Sequence, residues 1–434
     1  MSPFTIGLIG MLFFFLLAAF EMPLGFAFIT AGFLGLIYTK GIGAGLSILG
    51  SEVYSLSASY TFSALPLFIL MGQFAFQAGI GRDLYVSAYK WLGRLPGGLA
   101  LATMLACTGF AACNGSTVAS AAAMGSLAFP EMEKFRYNRG LSTAVIATGG
   151  SLGILIPPSN MFIIYGYITE TSIAALFIAG ILPGLLLSAL YLTLIFVMCK
   201  RNPKLGSPTN ETFTWKERFA SLTGIWGMLV LFVLIIGGMY FGIFSPSEAA
   251  SIGALGAFVL VVVRRRLTKS ILFDSLRASV RITCMVMFII VGAMMFNVFL
   301  STSGFGVAFS NWMIDLPLPR YVLLAIILLI YIPLGAFMDA LAMVMLTLPI
   351  IFPVIKVLGF DPIWFGVLII IMLEMGVLTP PIGLNAFVVH GVTNVPLWEI
   401  YRGLTPFILV MCLGLAILVI VPQISLYLPS IMRM

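Results

Sequence analysis

Charged side chains are scarce in this chain. Asp, Glu, Lys and Arg together make up 9% of its 434 residues, whereas a soluble globular protein carries roughly 25%. So few charges cannot cover a water-facing surface, and the mean hydropathy of +1.15 indicates the same. We therefore expect a lipid bilayer to surround most of the protein.

Residues that carry metal-site and catalytic chemistry are also scarce. His390 is the only histidine, and the five cysteines show no CxxC or other metal-site spacing. The sequence has no glycine-rich phosphate loop and no nucleophile beside a base. We therefore expect no zinc site, no disulfide framework, no nucleotide hydrolysis and no enzymatic activity.

Apolar runs follow one another from end to end and leave no room for a separate soluble domain. A helix needs about 20 apolar residues to cross about 30 Å of hydrocarbon. Residues 1–20 lack the basic region of a signal peptide, so we interpret them as a first span. The prediction is an all-α integral membrane protein with ten spans, two re-entrant hairpins and both termini outside.

Most of the 22 basic residues lie in four segments, 80–96, 131–139, 200–218 and 264–281. The positive-inside rule places all four in the cytoplasm. The net charge of +7 therefore indicates membrane orientation, and we expect no nucleic-acid partner. The Arg264-Arg265-Arg266 run is interpreted as an orientation signal first and a lipid contact second.

Residues 97–130 lie between two of these cytoplasmic segments. Their two apolar limbs, on either side of the turn sequence 114–117, are shorter than the usual span. A re-entrant hairpin with its tip inside the membrane accounts for this, and two short spans joined outside are the alternative. A second hairpin is predicted at 321–355.

Glycine and proline positions repeat at one fixed offset. Pro157-Pro158 recurs in the second half of the chain as Pro380-Pro381, and Gly153 recurs at the same offset as Gly376. The repeat divides the chain into halves at 1–217 and 218–434. Because each half would contain five spans, the second half is predicted to be inverted relative to the first.

Each half also contains an interrupted span, predicted as a broken helix at 140–166 and at 363–389. A Pro-Pro pair beside glycines breaks a helix and frees backbone carbonyls. Inverted repeats with broken helices are the architecture of secondary transporters, with the binding site between the repeats. A kink that only shapes packing is the alternative for either segment.

Freed carbonyls and helix C-termini suit Na⁺, and helix N-termini suit a carboxylate. The Na⁺ candidates from the tips and breaks are Asn114, Gly115, Ser116, Gly150, Ser151, Gly153, Pro157, Asp339, Gly376, Thr379 and Pro380. The substrate-binding candidates are Asn114, Ser116, Thr117, Ser159, Asn160, Asp339 and Asn385.

Two acidic residues lie inside these apolar segments. A charge there costs about 2.5–3.5 kcal/mol on insertion scales, so Asp339 needs a partner. In one interpretation that partner is Na⁺; in the other, Asp339 lies near the outer surface or caps the helix at the tip. Glu374 is expected to orient carbonyls or to pair with a backbone amide, without being a direct ligand.

Four segments together carry a family resemblance: 64–72, 114–132, 149–160 and 376–385. They resemble the large membrane subunit of tripartite ATP-independent periplasmic (TRAP) transporters over essentially the whole chain. The resemblance implies a Na⁺-coupled importer in a bacterial inner membrane that works by an elevator motion. It also implies a small membrane subunit, a periplasmic binding protein and an organic acid as substrate, such as a C4-dicarboxylate, sialic acid or another sugar acid.

Other classes of protein remain open at this point. A stand-alone Na⁺/carboxylate symporter would share the architecture and need no binding protein. A membrane-embedded enzyme would need clustered His, Asp or Glu at membrane depth, and the sequence shows no such cluster. No arginine lies in the inferred site, so a substrate carboxylate would depend on helix N-termini, hydroxyls and amides, or on arginines placed here in loops.

Overall fold

The computed structural model describes residues 2–208, 211–335, 337–381 and 383–432, and the regular structure within these ranges is helical. The helices before residue 215 are α1 (Pro3–Ala19), α2 (Leu24–Lys40), α3 (Ile42–Ser57), α4 (Ala64–Gln77), α5 (Ile80–Leu92), α6 (Gly98–Asn114), α7 (Thr117–Lys134), α8 (Arg139–Ser151), α9 (Asn160–Thr169) and α10 (Ile173–Arg201). Those that follow are α11 (Trp215–Leu222), α12 (Trp226–Tyr240), α13 (Pro246–Val263), α14 (Lys269–Thr302), α15 (Phe305–Ile314), α16 (Arg320–Gly335), α17 (Ala340–Val357), α18 (Pro362–Leu378), α19 (Leu384–Thr393), α20 (Leu397–Ile420) and α21 (Gln423–Ser430). The expectation of an all-α protein is confirmed.

Several helices are suited to crossing a bilayer. Among the described residues, five are long and apolar enough, namely α10, α13, α14, α17 and α20. Two bent pairs, α3 with α4 and α11 with α12, raise the number to seven. The other apolar helices have 10–17 residues, so the predicted total of ten spans is not confirmed and stays a prediction.

The segments between the predicted spans are more helical than expected. Residues 42–57, which were assigned to no element, form α3, and α3 meets the helix that follows it at a bend of 61°. The basic segments also contain helix, because α5 fills most of 80–96 and α14 begins at Lys269. Positive charge indicates a side of the membrane but does not disfavour a helix, so these segments were wrongly treated as loops. Residues 209–210 of the third segment lie outside the described residues.

The offset of the sequence repeat reappears in the helix boundaries. Helices α7 and α17 begin at Thr117 and Ala340, and α8 and α18 begin at Arg139 and Pro362. Both pairs of starting points are separated by the same offset as the two Pro-Pro motifs. The helix starts therefore follow the sequence motifs, and the inverted orientation of the two halves stays a prediction.

Helices of the two halves pack against each other. The most extensive contacts join α2 to α14 and α4 to α13, and further large contacts join α8 to α20 and α7 to α19. Glycine permits the closest approaches, since a methyl group added at Gly403 would lie 2.1 Å from the Gly140 carbonyl oxygen. Each half is therefore positioned by helices of the other half.

Arg264, which follows α13, joins three segments near the basic ends of the helices. Its guanidinium donates to Asp83 Oδ2 at 2.5 Å, to the Ala78 carbonyl at 2.8 Å and to the Gly224 carbonyl. The side chain is 19% exposed. The interpretation of Arg264 as an orientation signal and lipid contact is therefore incomplete, because this arginine is a packing residue as well.

We expect Arg264→Ala to lower the free energy of unfolding by about 1–3 kcal/mol, since it leaves one carboxylate and two carbonyls without their donor. Thermal unfolding of the purified protein measures the change. Arg139→Ala is the matched control, because its ion pair with Glu133 is 58% and 48% exposed on the two sides and contributes at most about 1 kcal/mol. Equal effects of the two substitutions would contradict the assignment.

Candidate functional site

The first predicted tip is a tight turn between α6 and α7. Gly115 has a φ of 59°, a left-handed conformation that glycine adopts without strain. Ser116 then caps α7, and its Oγ accepts from the Ala119 amide at 3.4 Å. Asn114 is buried, and its Nδ2 donates to Ser120 Oγ at 3.1 Å. The turn predicted at 114–117 thus forms the tip of a helical hairpin.

The first predicted break lies between α8 and α9. The backbone passes through a short 3₁₀ turn at Leu152–Ile154, and the Pro157–Pro158 peptide bond is cis. Ser159 restarts the helix, because its Oγ accepts from the Phe162 amide at 3.3 Å. The same hydroxyl donates to the Ile154 carbonyl. A broken helix therefore replaces the continuous span, as predicted from the prolines.

The first tip lies directly against the first break. A methyl group at Gly115 would lie 2.9 Å from the Pro158 carbonyl oxygen, and one at Gly153 would lie 3.0 Å from the Ser116 carbonyl oxygen. A methyl group at Gly150 would lie equally close to α7, 2.8 Å from Ala121 Cβ. These glycines are therefore required for backbone-to-backbone contact, and they bring carbonyl oxygens from both segments together.

The second tip repeats this arrangement with a different capping residue. Helix α16 ends at Gly335 and α17 begins at Ala340, while residue 336 lies outside the described residues. Asp339 caps α17, and its Oδ1 accepts from the Ala342 amide at 2.8 Å. Of the two roles expected for Asp339, the helix cap is observed. Its position matches that of Ser116, so a carboxylate in one half replaces a hydroxyl in the other.

The second break also lies against its tip. A methyl group at Gly335 would lie 2.3 Å from the Gly376 Cα, so α16 and α18 meet backbone to backbone. Helix α18 ends at Leu378, and the Pro380–Pro381 peptide bond is cis. Residue 382 lies outside the described residues. Helix α19 then begins after Gly383.

Asn385 joins the second break to the first half. Its side chain is fully buried, and its Nδ2 donates to the Ala147 carbonyl of α8 at 3.4 Å. Its Oδ1 has no hydrogen-bond partner among the described residues. Asn385 is therefore a buried acceptor with unused capacity between the two predicted breaks. Asn160, the first residue of α9, lies on the other side of the first break, 3.5 Å from a methyl group built at Gly115.

Several predicted side chains have hydroxyls that are already engaged. Ser151 Oγ donates to the Thr148 carbonyl at 2.8 Å, and Thr379 Oγ1 donates to the Met375 carbonyl at 2.6 Å. The Ser159 hydroxyl makes the two bonds described above and is fully buried. Thr117 is half-buried at the start of α7. A ligand would meet lone pairs or backbone atoms at these residues, or would displace an existing bond.

Glu374 does not make the contacts that the sequence predicts for it. It was predicted to orient carbonyls or to pair with a backbone amide, but neither of its carboxylate oxygens has a hydrogen-bond partner within the described chain. The residue is fully buried in α18. The prediction failed because spacing along a helix does not reveal which face a side chain occupies. His390, near the end of α19, has its Nδ1 at 2.7 Å from the Val395 carbonyl oxygen and is thereby held by the backbone that follows the helix.

An open cavity of about 1330 Å³ lies elsewhere, between α3, α9, α10, α13, α14, α15 and α17. None of the predicted site residues lines it. Two carboxylates, Glu52 and Glu170, line its wall, and its lining includes no Lys, Arg or His. Sequence reasoning missed this cavity, because its walls combine seven helices from both halves of the chain.

Comparison with known protein sequences identifies a family and several relatives of this chain. Residues 11–424 match the family described as "Tripartite ATP-independent periplasmic transporter, DctM component". The chain is 36% identical over 383 residues to the C4-dicarboxylate TRAP transporter large permease protein DctM of Pseudomonas aeruginosa, covering 88% of this chain and 89% of that protein. It is 31% identical over 411 residues to the sialic acid TRAP transporter large permease protein SiaM of Vibrio cholerae, covering 94% and 95%.

A solved structure supports the fold alone. The YdaH transporter of Alcanivorax borkumensis superposes with a TM-score of 0.59 at 16% sequence identity, covering 90% of this chain and 88% of that one. The family match and the two permease relatives extend over almost the entire chain. The chain therefore belongs to the DctM family of tripartite ATP-independent periplasmic transporters, as a large permease protein.

Proposed function

We propose that this permease uses a Na⁺ gradient to import an organic acid that a periplasmic binding protein delivers. The observation that supports the proposal is the pairing of each hairpin tip with a helix break in the same half. Broken helices supply free backbone carbonyls for Na⁺ and free backbone amides for an anion. The same arrangement occurs twice, so two Na⁺ sites are proposed.

The first proposed Na⁺ site lies where the turn of 114–117 meets the break of 150–158. A methyl group at Gly153 would lie 3.0 Å from the Ser116 carbonyl oxygen, and one at Gly115 would lie 2.9 Å from the Pro158 carbonyl oxygen, so both carbonyls face the contact between tip and break. Uncharged oxygen donors of this kind suit a monovalent hard cation. The buried Asn114 side chain, whose Oδ1 lies 3.0 Å from a methyl group built at Gly72 of α4, is proposed to add a further carbonyl oxygen.

The second proposed Na⁺ site lies between the tip at Asp339 and the break at 376–380. The backbones of Gly335 and Gly376 touch here, and the Thr379 hydroxyl oxygen follows the end of α18. Asp339 contributes a full negative charge that Ser116 lacks. We therefore propose that the second site binds Na⁺ more tightly than the first.

The substrate is proposed to bind between the two breaks, where α9 and α19 begin. Helix N-termini there would stabilise a carboxylate by about 0.3–1 kcal/mol each. Asn160 and Asn385 supply amide groups, and the unused Asn385 Oδ1 can accept from a substrate hydroxyl. Relatives named for C4-dicarboxylate and sialic acid support the assignment to organic acids.

Transport would require the bound site to change sides of the membrane. Each hairpin contacts its break through glycine backbones, so hairpin and break form a stiff unit. We propose that these units slide against the remaining helices as an elevator, in an inverted-repeat scaffold. The proposed partners are a small membrane (Q) subunit and a periplasmic (P) binding protein, with the complex in a bacterial inner membrane and both termini of this chain in the periplasm.

Proteoliposomes test this proposal directly. We expect uptake of a labelled organic acid only when this chain, its small subunit, its binding protein and an inward Na⁺ gradient are all present. One charge moving through 100 mV supplies about 2.3 kcal/mol, so a few Na⁺ ions suffice for steep accumulation. Replacing Na⁺ by K⁺ is the control.

Two outcomes would contradict the proposal in different ways. Uptake by this chain without a binding protein would establish the stand-alone symporter. Uptake that persists unchanged in K⁺ would remove Na⁺ as the coupling ion and leave the family assignment intact.

A further inference from the structure

The open cavity of about 1330 Å³ is a feature for which the proposed function provides no role. It is larger than a typical small-molecule pocket, which has a volume of roughly 300–1,000 Å³. None of the residues assigned to the Na⁺ and substrate sites lines it. Its walls are therefore available to a different ligand, and their chemistry indicates which kind.

The cavity lies at the ends of its helices that are remote from the basic segments. Helix α10 begins beside it at Ile173 and ends in one basic segment at Arg201. Helix α14 begins in another at Lys269 and lines the cavity between Ile290 and Ser301. At about 1.5 Å per residue, the 29 residues of α10 span about 40 Å, more than the hydrocarbon core of a bilayer. The cavity therefore lies toward the membrane face opposite the basic segments.

Two carboxylates give the cavity its charge. Glu52 of α3 and Glu170, which follows α9, line the wall, and no Lys, Arg or His among the described residues does so. Neither carboxylate forms an ion pair within the described chain. A cleft with low-dielectric walls and charges of one sign raises the local concentration of ions of the opposite sign by about tenfold or more. The cavity is thus expected to attract cations.

A neutral oxygen in the wall also lacks a partner. Asn297 of α14 donates through Nδ2 to the Met345 carbonyl of α17 at 3.4 Å. That carbonyl is available because Pro349, four residues later, has no N–H to complete the helical bond. The buried Oδ1 of the same amide has no hydrogen-bond partner among the described residues. A buried acceptor without a donor is costly, so a cation bound beside α14 would stabilise it.

Helix α17 supplies a further acceptor on the same wall. Pro353 also lacks an N–H, so the Pro349 carbonyl has no donor within the helix. Met345, Pro349 and Pro353 all line the cavity, as residues four positions apart on one helix face can do. The wall therefore combines two carboxylates with neutral carbonyl oxygens. Oxygen ligands of both kinds are those that hard cations prefer.

Tyr167 of α9 adds an aromatic ring to the lining. The ring packs edge-to-face against Phe62, with the ring centroids 4.2 Å apart. Aromatic rings attract ammonium groups as well as metal ions, because the face of the ring carries partial negative charge. The cavity can therefore accept an organic cation. An organic anion, by contrast, would meet two carboxylates and no cationic side chain.

We propose that this cavity is a binding site for a monovalent cation, either an alkali ion or the ammonium group of an organic ligand, and that it excludes organic anions. Glu52, Glu170 and Asn297 are the residues assigned to the cation. A role in supplying Na⁺ to the transport sites would rest on the proposed function, but the binding of a cation does not.

The second half of the chain indicates how the charge of Glu170 can be removed without disturbing the backbone. Glu170 follows α9 with a φ of 54°, and Asn394 follows α19 with a φ of 56°. Asparagine adopts this left-handed conformation more readily than glutamate does. Glu170→Asn therefore removes the charge and retains the turn, and Glu52→Gln does the same for α3 with a side chain of equal length.

Thiol labelling of the purified full-length protein in detergent tests the charge of the cavity without any substrate. Gly306→Cys places a thiol in the wall, because Gly306 lines the cavity and a side chain there meets nothing within 4 Å. A cationic and an anionic methanethiosulfonate reagent are compared, each normalised to its rate with a small thiol in solution, and the labelling of the wild type is subtracted.

We expect the cationic reagent to label Gly306→Cys at least about tenfold faster than the anionic one at low ionic strength. Glu52→Gln combined with Glu170→Asn should remove most of this preference. Gly391→Cys is the matched control, because Gly391 is exposed, lies outside the cavity and also has space for a side chain. The two charge-removing substitutions should leave its labelling ratio unchanged.

Protection against labelling tests the binding of the cation itself. Na⁺ and tetramethylammonium are titrated separately, and saturable protection by Na⁺ would identify an alkali ion, whereas protection by tetramethylammonium alone would identify an ammonium group. Asn297→Ala should raise the concentration for half-maximal protection about three- to tenfold, the factor expected for one lost polar contact. Simple screening by salt would not change, because this substitution leaves the charge of the cavity unaltered.

Equal or faster labelling by the anionic reagent would overturn the proposal. So would the absence of protection by either cation, or identical protection in Asn297→Ala and the unsubstituted wall. Val307→Cys provides a second thiol should Gly306→Cys fail to fold, since Val307 lines the cavity and is 69% exposed. These results do not depend on whether Na⁺ drives uptake, so failure of the proposed transport function remains distinguishable.

Discussion

Gly335→Ala is expected to abolish Na⁺-dependent uptake and to lower the unfolding temperature. The added methyl group would lie 2.3 Å from the Gly376 Cα and 2.6 Å from its carbonyl carbon. These are backbone atoms, so no side chain can rotate away and α16 must separate from α18. Overpacking a close contact typically costs about 1–3 kcal/mol, and here it also displaces the second tip from its break. Uptake assays and thermal unfolding of the same preparation measure both effects.

Gly391→Ala is the matched control for this substitution. Gly391 lies in α19, on the other side of the same break, and an added methyl group there meets nothing within 4 Å. Alanine is favoured over glycine inside a helix by about 0.5–1 kcal/mol, so stability should be unchanged or slightly raised. Normal uptake by the Gly335→Ala protein would show that the second hairpin does not form part of the site.

Asp339→Asn is expected to raise the Na⁺ concentration for half-maximal uptake at least about tenfold, equivalent to about 1.4 kcal/mol, while leaving stability almost unchanged. Asparagine caps helices as well as aspartate does, so the bond to the Ala342 amide should survive. Only the negative charge is lost. The substitution therefore separates the capping role that the structure shows from the proposed role in Na⁺ binding.

Two further variants complete this comparison. Asp339→Ala should lose the cap as well, at a cost of about 0.5–2 kcal/mol. Ser116→Ala should lose the equivalent cap of α7 with a smaller change in Na⁺ dependence, because a neutral hydroxyl is removed. If Asp339→Asn and the wild type require the same Na⁺ concentration, Asp339 is a cap and not an ion ligand.

Local chemistry made much of the candidate site predictable from the sequence. A Pro-Pro pair beside glycines interrupts a helix, and both breaks occur at the predicted pairs, Pro157-Pro158 and Pro380-Pro381. The short polar sequence 114–117 could only be a turn, and an acidic residue before an apolar run is a typical helix cap, as Asp339 is. These features depend on a few neighbouring residues, so a single sequence is sufficient to indicate them.

Features that depend on distant residues were not predictable in the same way. The burial of Glu374 without a hydrogen-bond partner among the described residues depends on which helices pack around α18, and the bond from Asn385 to Ala147 joins residues 238 positions apart. Helix α3 was missed because its sequence is less apolar than the spans beside it. Counting apolar residues also cannot separate a short span from a hairpin limb, which is why the number of spans stays open.

The interleaved packing of the two halves has a consequence for biosynthesis. Helix α8 packs against α20, and Gly140 of the first half lies against Gly403, near the end of the chain. The first half therefore leaves the ribosome before the helices that enclose its own broken segment have been made. Contacts between such distant residues form late and slowly. The polar carbonyls of the first break are therefore incompletely enclosed until the last helices have been synthesised. For this reason a truncated chain should be degraded by membrane proteases and should not act as half of a transporter.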